Sequence, residues 1–458
     1  MNSLVVMLIF LGTVSLIQTV IVSVQSINND SDAHRESNEG YANSVPVDGA
    51  KEIRHRSDIL NRNIDEDKTW NEASTRDDAK PEGAQPDPSP TSHPSASPSS
   101  TPSSSPTEGI KSPSLLLSYD WTNLELYSEQ AKTIYDHQHN CSIPWIRYEL
   151  RTWAMGLGSE LHVWSYALNE SMRHKGYRIR THVPQRDHRR PQHTPSWDWI
   201  DHQACGDPFH TSQLDCYFPG AEPTCGLEQT SEWANMSVVE SQIRCSAFNE
   251  DTVTWRAASM EFLFSKVSPL VVDEAERQAR AVFGKNGTIE FKKVPVDLIL
   301  VHMRWGDKFV ESKLFNVDEY IVEIQKVVDE HKLKEVNILL CTEDPSAVTN
   351  FENRSQHLGW NVYIDHFYTE FLPYRLARPK SAFNMAEFNV VLNIAQDLEG
   401  KPGLWALGSV LVAMEAKYYI LTLSSNWSRL YNELRKNVVD PRCDNCTVLI
   451  DLSHGGEC

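Results

Sequence analysis

The apolar positions of the chain fall into two kinds of stretch. Val296-Asp-Leu-Ile-Leu-Val301 is a short run of mostly branched residues, the pattern of a strand buried on both faces of a parallel sheet. It breaks into His302-Met-Arg304-Trp-Gly306-Asp307-Lys308. Beyond it, Val317, Tyr320, Ile321, Ile324, Val327 and Val328 recur at helical spacing. Asn316 stands ahead of that stripe as an N-cap, with Glu319 three residues on. A second apolar run, Val336 to Cys341, ends in Thr342-Glu343-Asp344-Pro345. Further on, Gly408 to Ala416 reads as a buried helix, Tyr418 to Leu423 as a strand, and Ser425 as the cap of another helix. Upstream, Trp145 to Thr152 leads into Gly156-Leu-Gly158 and an apolar helix through Leu168, and Asp251 to Phe283 reads as helical. Strand, polar loop and helix in repetition define an α/β class with a parallel sheet.

The first quarter reads differently. Leu4 to Val24 is apolar enough, and at ~20 residues long enough, to cross a bilayer as a helix. Residues 1–26 are therefore a signal anchor or, with Val24-Gln25-Ser26 as the cut, a cleaved signal peptide. Residues 27–114 are polar and become Pro/Ser/Thr-rich from Gln85 to Ser114. Such a segment buries too little surface to fold and forms a disordered stem. Globular character starts near Leu115, with 115–290 as an N-terminal half carrying cysteine-rich loops and 291–458 as a C-terminal half.

A net charge of −19 argues against a nucleic-acid partner. It leaves room for one small anion, because a local arginine pocket can oppose the global field. Eight Asn-x-Ser/Thr sequons, at Asn29, Asn140, Asn169, Asn235, Asn286, Asn353, Asn426 and Asn445, point with the apolar leader to a secretory route. The expected location is the Golgi membrane, single-pass with a lumenal catalytic part, or secretion if the leader is cleaved. In that compartment Cys205, Cys216, Cys225 and Cys245 are expected to hold at least one disulfide, and Cys443 and Cys446 a structural bridge. Cys341, ending an apolar strand, reads as a buried free thiol.

Ligands of open α/β sheets bind beyond the carboxyl ends of the strands. Arg304 stands at such an end, and its planar fork of donors suits a pair of phosphate oxygens. Ser424 and Ser425, before a helix, would offer hydroxyls and backbone N–H groups to the same kind of anion. Gly156-Leu-Gly158 has two readings, a pocket of N–H groups or close helix packing. The basic run from Arg173 to Arg190 likewise reads as a solvated loop or as a rim for an anionic or glycan partner.

Three blocks in order, Val301-His302-Met-Arg304-Trp-Gly-Asp307-Lys308, Leu340-Cys-Thr342-Glu343-Asp344-Pro345, and Leu421-Thr-Leu-Ser424-Ser425-Asn426 through Arg429, resemble the fucosyltransferase superfamily of α-1,6-, α-1,2- and protein O-fucosyltransferases. The motifs are most similar to the α-1,6 type. Gly158-Ser159-Glu-Leu-His162 is a weaker fourth block, and the resemblance runs from about Asn140 to the C-terminus. It implies two Rossmann-like halves facing across a cleft (GT-B-like). It also implies GDP-fucose as donor, inversion at the sugar carbon, no required metal or other cofactor, and a glycan or glycoprotein acceptor. By position, Arg304 would bind the donor diphosphate, His302 would lie near the nucleotide, Asp344 and Ser409 would fall in the donor site, and Ser424 and Ser425 would hydrogen-bond a phosphate. Glu311 is the candidate base and Asp307 the runner-up, with Lys308 tuning or relaying. Where the α-1,6 enzymes carry a second arginine this chain has Trp305, Ser409 replaces an acid, and Glu311 is offset by one residue. Two other readings stand beside the transferase: a catalytically inactive glycan-binding or scaffold protein that keeps the fold, and a transferase using another sugar nucleotide.

Overall fold

Two parallel sheets account for the alternation of apolar runs and amphipathic stripes. The structure, a computed structural model, describes residues 116–148, 156–181, 199–206, 213–223, 238–239, 250–284, 294–305, 313–377 and 390–454. All of them lie in the unit Pro106–Cys458. The leader and stem lie outside the described residues. Among the described residues no helix is long and apolar enough to cross a membrane.

The N-terminal part begins with α1 (Glu129–His139), where the Ser128 hydroxyl accepts from the Ala131 N–H. Then come β1 (Trp145–Tyr148), α2 (Leu157–Glu170) and β2 (Arg178–Thr181). Two short helices follow, α3 (His202–Cys205) and α4 (Gln213–Tyr217), joined by a disulfide between Cys205 and Cys216. The expected bridge within the cysteine-rich segment is thereby located. With β3 (Val238–Val239), the strands pair in the order β2-β1-β3, all parallel. The helical reading of Asp251 to Phe283 resolves into two helices, α5 (Glu250–Phe264) and α6 (Pro269–Phe283). The break falls at Pro269, which cannot continue the first helix but suits the first turn of the second.

The C-terminal part holds β4 (Leu298–His302), α7 (Val317–His331), β5 (Asn337–Cys341), α8 (Pro345–Ser355), β6 (Asn361–Ile364) and α9 (His366–Ala377). It continues with α10 (Val390–Asp397), α11 (Lys401–Ala413), β7 (Tyr418–Leu421), α12 (Asn426–Leu434) and β8 (Val448–Asp451). The order is β6-β5-β4-β7-β8, all parallel. β4 starts later than the apolar run suggests. Val296 is 77% exposed, and Asp297 pairs with Lys417 at 3.1 Å beside the strand entrance. The expected capping box of α7 is complete, with Asn316 and Glu319 each bonding the other's backbone.

Successive residues of a strand face opposite sides. Leu298, Leu300, Leu339, Cys341, Tyr419 and Leu421 pack on one face of the second sheet, in a core shared with Ile146, Leu161 and Val163 of the N-terminal part. Ile299, Val301, Ile338, Leu340, Tyr418 and Ile420 pack on the other, against Tyr320 and Ile324 of α7 and Phe351 of α8. α11 is longer than expected at its start and buried from Pro402 to Ala413. A Cβ on Gly403 would fall 1.8 Å from the Trp199 carbonyl oxygen, so only glycine fits that crossing. Cys443 and Cys446 form the expected bridge, and Cys341 is free and buried.

Candidate active site

In a sheet ordered β6-β5-β4-β7-β8 the chain winds one way from β4 to β6 and the other way from β7 to β8. The crevice between the carboxyl ends of β4 and β7 is the switch point where such sheets take their ligands. Arg304 emerges from β4 there, and Ser424 and Ser425 from β7. His302 and Arg304 thus stand at the carboxyl end of β4, and Ser424 and Ser425 at that of its neighbour β7.

Arg304 is four-fifths buried and ion-paired with Glu343, which leaves the neighbouring strand β5. Its Nη1 also donates to the Trp305 carbonyl at 2.9 Å. The pairing follows from register. His302 sits opposite Cys341, and two further residues along each strand end bring Arg304 and Glu343 to one side. Asp344 is turned elsewhere. Its carboxylate caps α8, accepting from the Ser346 N–H at 2.8 Å and the Ala347 N–H at 3.4 Å. Of two adjacent acids, then, one faces the arginine and the other holds a helix start.

His302 is buried, and its Nδ1 lies 2.6 Å from the Ser428 hydroxyl in the first turn of α12. Burial, with the Arg304 guanidinium behind it, lowers the imidazole to about 3, so it is neutral. Its role here is to lock the end of β4 to the start of α12. Ser425 stands at the N-cap of α12, yet its side chain makes no cap bond. That leaves the first-turn N–H groups of this helix without the usual hydroxyl.

A second helix start meets the first. Gly158 in α2 has no room for a side chain, because a Cβ would lie 2.9 Å from the Trp427 ring and 3.4 Å from the backbone of α12. Gly156, by contrast, has nothing within 4 Å of its Cβ position. The pair of glycines therefore divides: Gly158 serves packing, and Gly156 faces open space. Asn426 donates to the Ser159 hydroxyl at 2.5 Å, and its amide oxygen lies 3.1 Å from His162 Nδ1. His162 Nε2 lies 3.0 Å from Glu433, whose other oxygen accepts from Arg256 of α5. Burial alone would raise the Glu433 carboxyl, but His162 and Arg256 outweigh it and hold it at about 2. This buried network ties α2, α5 and α12 together. Sequence reasoning missed it, although His162 and Asn426 both lie in quoted blocks.

Ser409, placed by resemblance in the donor site, is buried in α11 and donates to Asp365 at 2.7 Å. Burial pushes the Asp365 carboxyl up to about 6, against hydrogen bonds from Ser409, the Phe367 N–H and Cys341. Asp365 is the acid next to Ser409, contributed by the end of β6 rather than by α11. Asp307, Lys308 and Glu311 lie outside the described residues. An open depression of about 560 Å³ beside Asp297, Asn337 and Lys417 is at the amino ends of the strands, away from this crevice.

No family model matches the chain. No curated protein matches it. Among solved structures it is similar to the α-1,6-fucosyltransferase NodZ of Bradyrhizobium soaked with GDP-fucose, with 12% identity and a TM-score of 0.33 over 64% of this chain and 92% of that one. It is also similar to POFUT1 in complex with GDP, with 10% identity and a TM-score of 0.34 over 67% of this chain and 98% of that one.

Proposed function

We propose that the chain is a glycosyltransferase that takes fucose from GDP-fucose and passes it, with inversion, to a hydroxyl of a glycan or glycoprotein. The observation that carries this reading is that β4, which Arg304 follows, neighbours β7, which leads into α12, at the sheet's switch point, with His302 at the end of β4 bonded to Ser428 of α12. A guanidinium fork and a helix N-terminus without a hydroxyl cap are two complementary donors for a diphosphate. The α2 start, pinned to α12 through Asn426 and Ser159, adds a second positive pole.

In the reaction, a carboxylate takes the acceptor's hydroxyl proton as that oxygen bonds to the sugar carbon. The bond from the sugar carbon to the diphosphate oxygen breaks, and GDP leaves with the electron pair. Charge grows on the diphosphate as it departs, which is where Arg304 and the helix N–H groups act. Glu311 is the proposed base with Asp307 as alternative, and Lys308 tunes it; the scheme uses no metal. The reading extends to a lumenal, membrane-anchored enzyme; the Cys205–Cys216 and Cys443–Cys446 bridges suit the oxidising compartment, and the anchoring rests on the apolar leader alone.

The test is incubation of the full-length chain with GDP-fucose and a panel of other sugar nucleotides, following nucleotide release with and without glycan acceptors. Release of GDP from GDP-fucose above all other donors is expected. Preference for another sugar nucleotide would replace the donor, and no turnover of any donor would leave a binding protein.

A further inference from the structure

Arg304 is not held open for a ligand in this structure. Its Nη1 donates to the Glu343 carboxylate, and both side chains are about four-fifths buried. Glu343 has no competing role in capping, because the adjacent Asp344 performs that task for α8. The two charges leave adjacent parallel strands and are brought side by side by the β4–β5 register. A diphosphate entering beside this pair meets a guanidinium already matched to a carboxylate. If the carboxylate stayed in place it would face the incoming phosphate oxygens across one guanidinium, a like-charge contact that is costly in a partly dehydrated crevice.

We propose that Glu343 is the resident counter-ion of Arg304, holding its guanidinium in the empty crevice and yielding it when the anion of the donor arrives. Glu343 is then a positioning residue that sets donor affinity from the ligand-free side. Binding exchanges one charge-assisted pair for another, so the net gain from Arg304 is the difference between them. The arrangement favours ligands with a doubly charged diphosphate over those carrying a single carboxylate, because a lone carboxylate gains little over the one already present. The inference rests on the transferase reading only in naming a diphosphate as the displacing anion.

The sign of one substitution decides the matter. Glu343→Gln keeps the shape and removes the charge. The full-length chain and its variants are titrated calorimetrically with inorganic pyrophosphate and, separately, with GDP, and their melting is recorded. Glu343→Gln is expected to bind pyrophosphate roughly fivefold more tightly than the native chain, the scale of a partly exposed ion pair. In an Arg304→Met background the same change is expected to have no effect. Acetate, the single-carboxylate control, is expected to bind the native chain negligibly and Glu343→Gln measurably. A merely structural Glu343 would give the opposite sign, with weaker pyrophosphate binding and a lower melting temperature. Glu343→Ala repeats the measurement if the glutamine variant melts early. Pyrophosphate binding that is equal, weaker or absent in both charge-removing variants overturns the counter-ion role. If pyrophosphate tightens as expected but no variant binds GDP, the counter-ion role stands and the GDP-sugar reading falls. If the native chain turns over GDP-fucose while Glu343→Gln binds pyrophosphate no better, the reverse holds.

Discussion

Arg304 leaves a strand whose five residues are all buried, and a guanidinium in such a place is costly without an anionic partner. That cost made the residue legible in the sequence: a branched apolar run followed at once by a charge is a pattern break with few structural uses. Its partner was less legible. Glu343 and Asp344 are neighbours, and which of them faces the arginine depends on strand register, a property of two segments at once. One local signal was available, since Asp344-Pro345-Ser346 has the form of a helix cap. At this scale the prediction concerns turnover. Arg304→Ala is expected to lower GDP-fucose turnover by roughly 10²–10³, the loss of one donor to developing charge. Arg304→Lys retains charge without the fork and should be impaired as well. Steady-state rates, with melting curves to confirm folding, check both; native-like turnover by a folded Arg304→Ala would remove the assignment of the donor site.

At the scale of elements, the site depends on two helices starting side by side. Ser425 was readable as the cap of α12, but its hydroxyl does not bond the helix, which no cap rule reveals. Gly156-Leu-Gly158 had two readings, and each glycine turns out to follow a different one. Gly158→Ala puts a methyl group 2.9 Å from the Trp427 ring, so the ring or the helix that carries it has to shift. Overpacking of this kind typically costs about 1–3 kcal/mol, which outweighs the ~1 kcal/mol that alanine gains over glycine within a helix. The variant should melt earlier and bind GDP more weakly, because the contact between the two helix starts is disturbed. Gly156→Ala, with open space at its Cβ, should leave packing intact and cost at most about 1 kcal/mol at the N-cap. Thermal melts and GDP titration of the two variants provide the comparison; equal behaviour would mean that helix contact is not what Gly158 secures.

For the whole molecule, the α/β class could be read from apolar runs alternating with helical stripes, but the order β6-β5-β4-β7-β8 could not. Nothing local in Tyr418 to Leu421 says that it pairs with β4 rather than β6. The buried acids are equally hidden, since Asp365 and Glu433 look like surface residues in sequence, and their environments come from helices far away in the chain. They oppose each other in pH. Glu433 titrates lower in the folded chain than unfolded, so its contribution is full above about 4.5 and is lost as pH falls towards about 2. Asp365 titrates higher when folded, so its contribution is full below about 3.8 and declines as pH rises through about 6. Asp365→Asn, which still accepts from Ser409, should therefore flatten a fall in stability between pH 4 and 6. Urea midpoints across that range would show it, and an unchanged slope would mean that the carboxyl is not raised. The contact between Asn426 and Ser159 has a further consequence, for the order of events during synthesis. Asn426 begins a sequon, yet its amide nitrogen is engaged inside the fold, as is that of Asn169, which bonds Ser165 and Ser259. Asn140, Asn353 and Asn445 are exposed. An oligosaccharide attached to Asn426 before the helices close would hold them open for good. In cells that route the chain through a glycosylating compartment, closure has to outrun attachment at Asn426. Glycopeptide mapping of the active protein should find sugar on exposed sequons and bare side chains at Asn426 and Asn169; sugar at Asn426 on active enzyme would show that the two helices come together some other way.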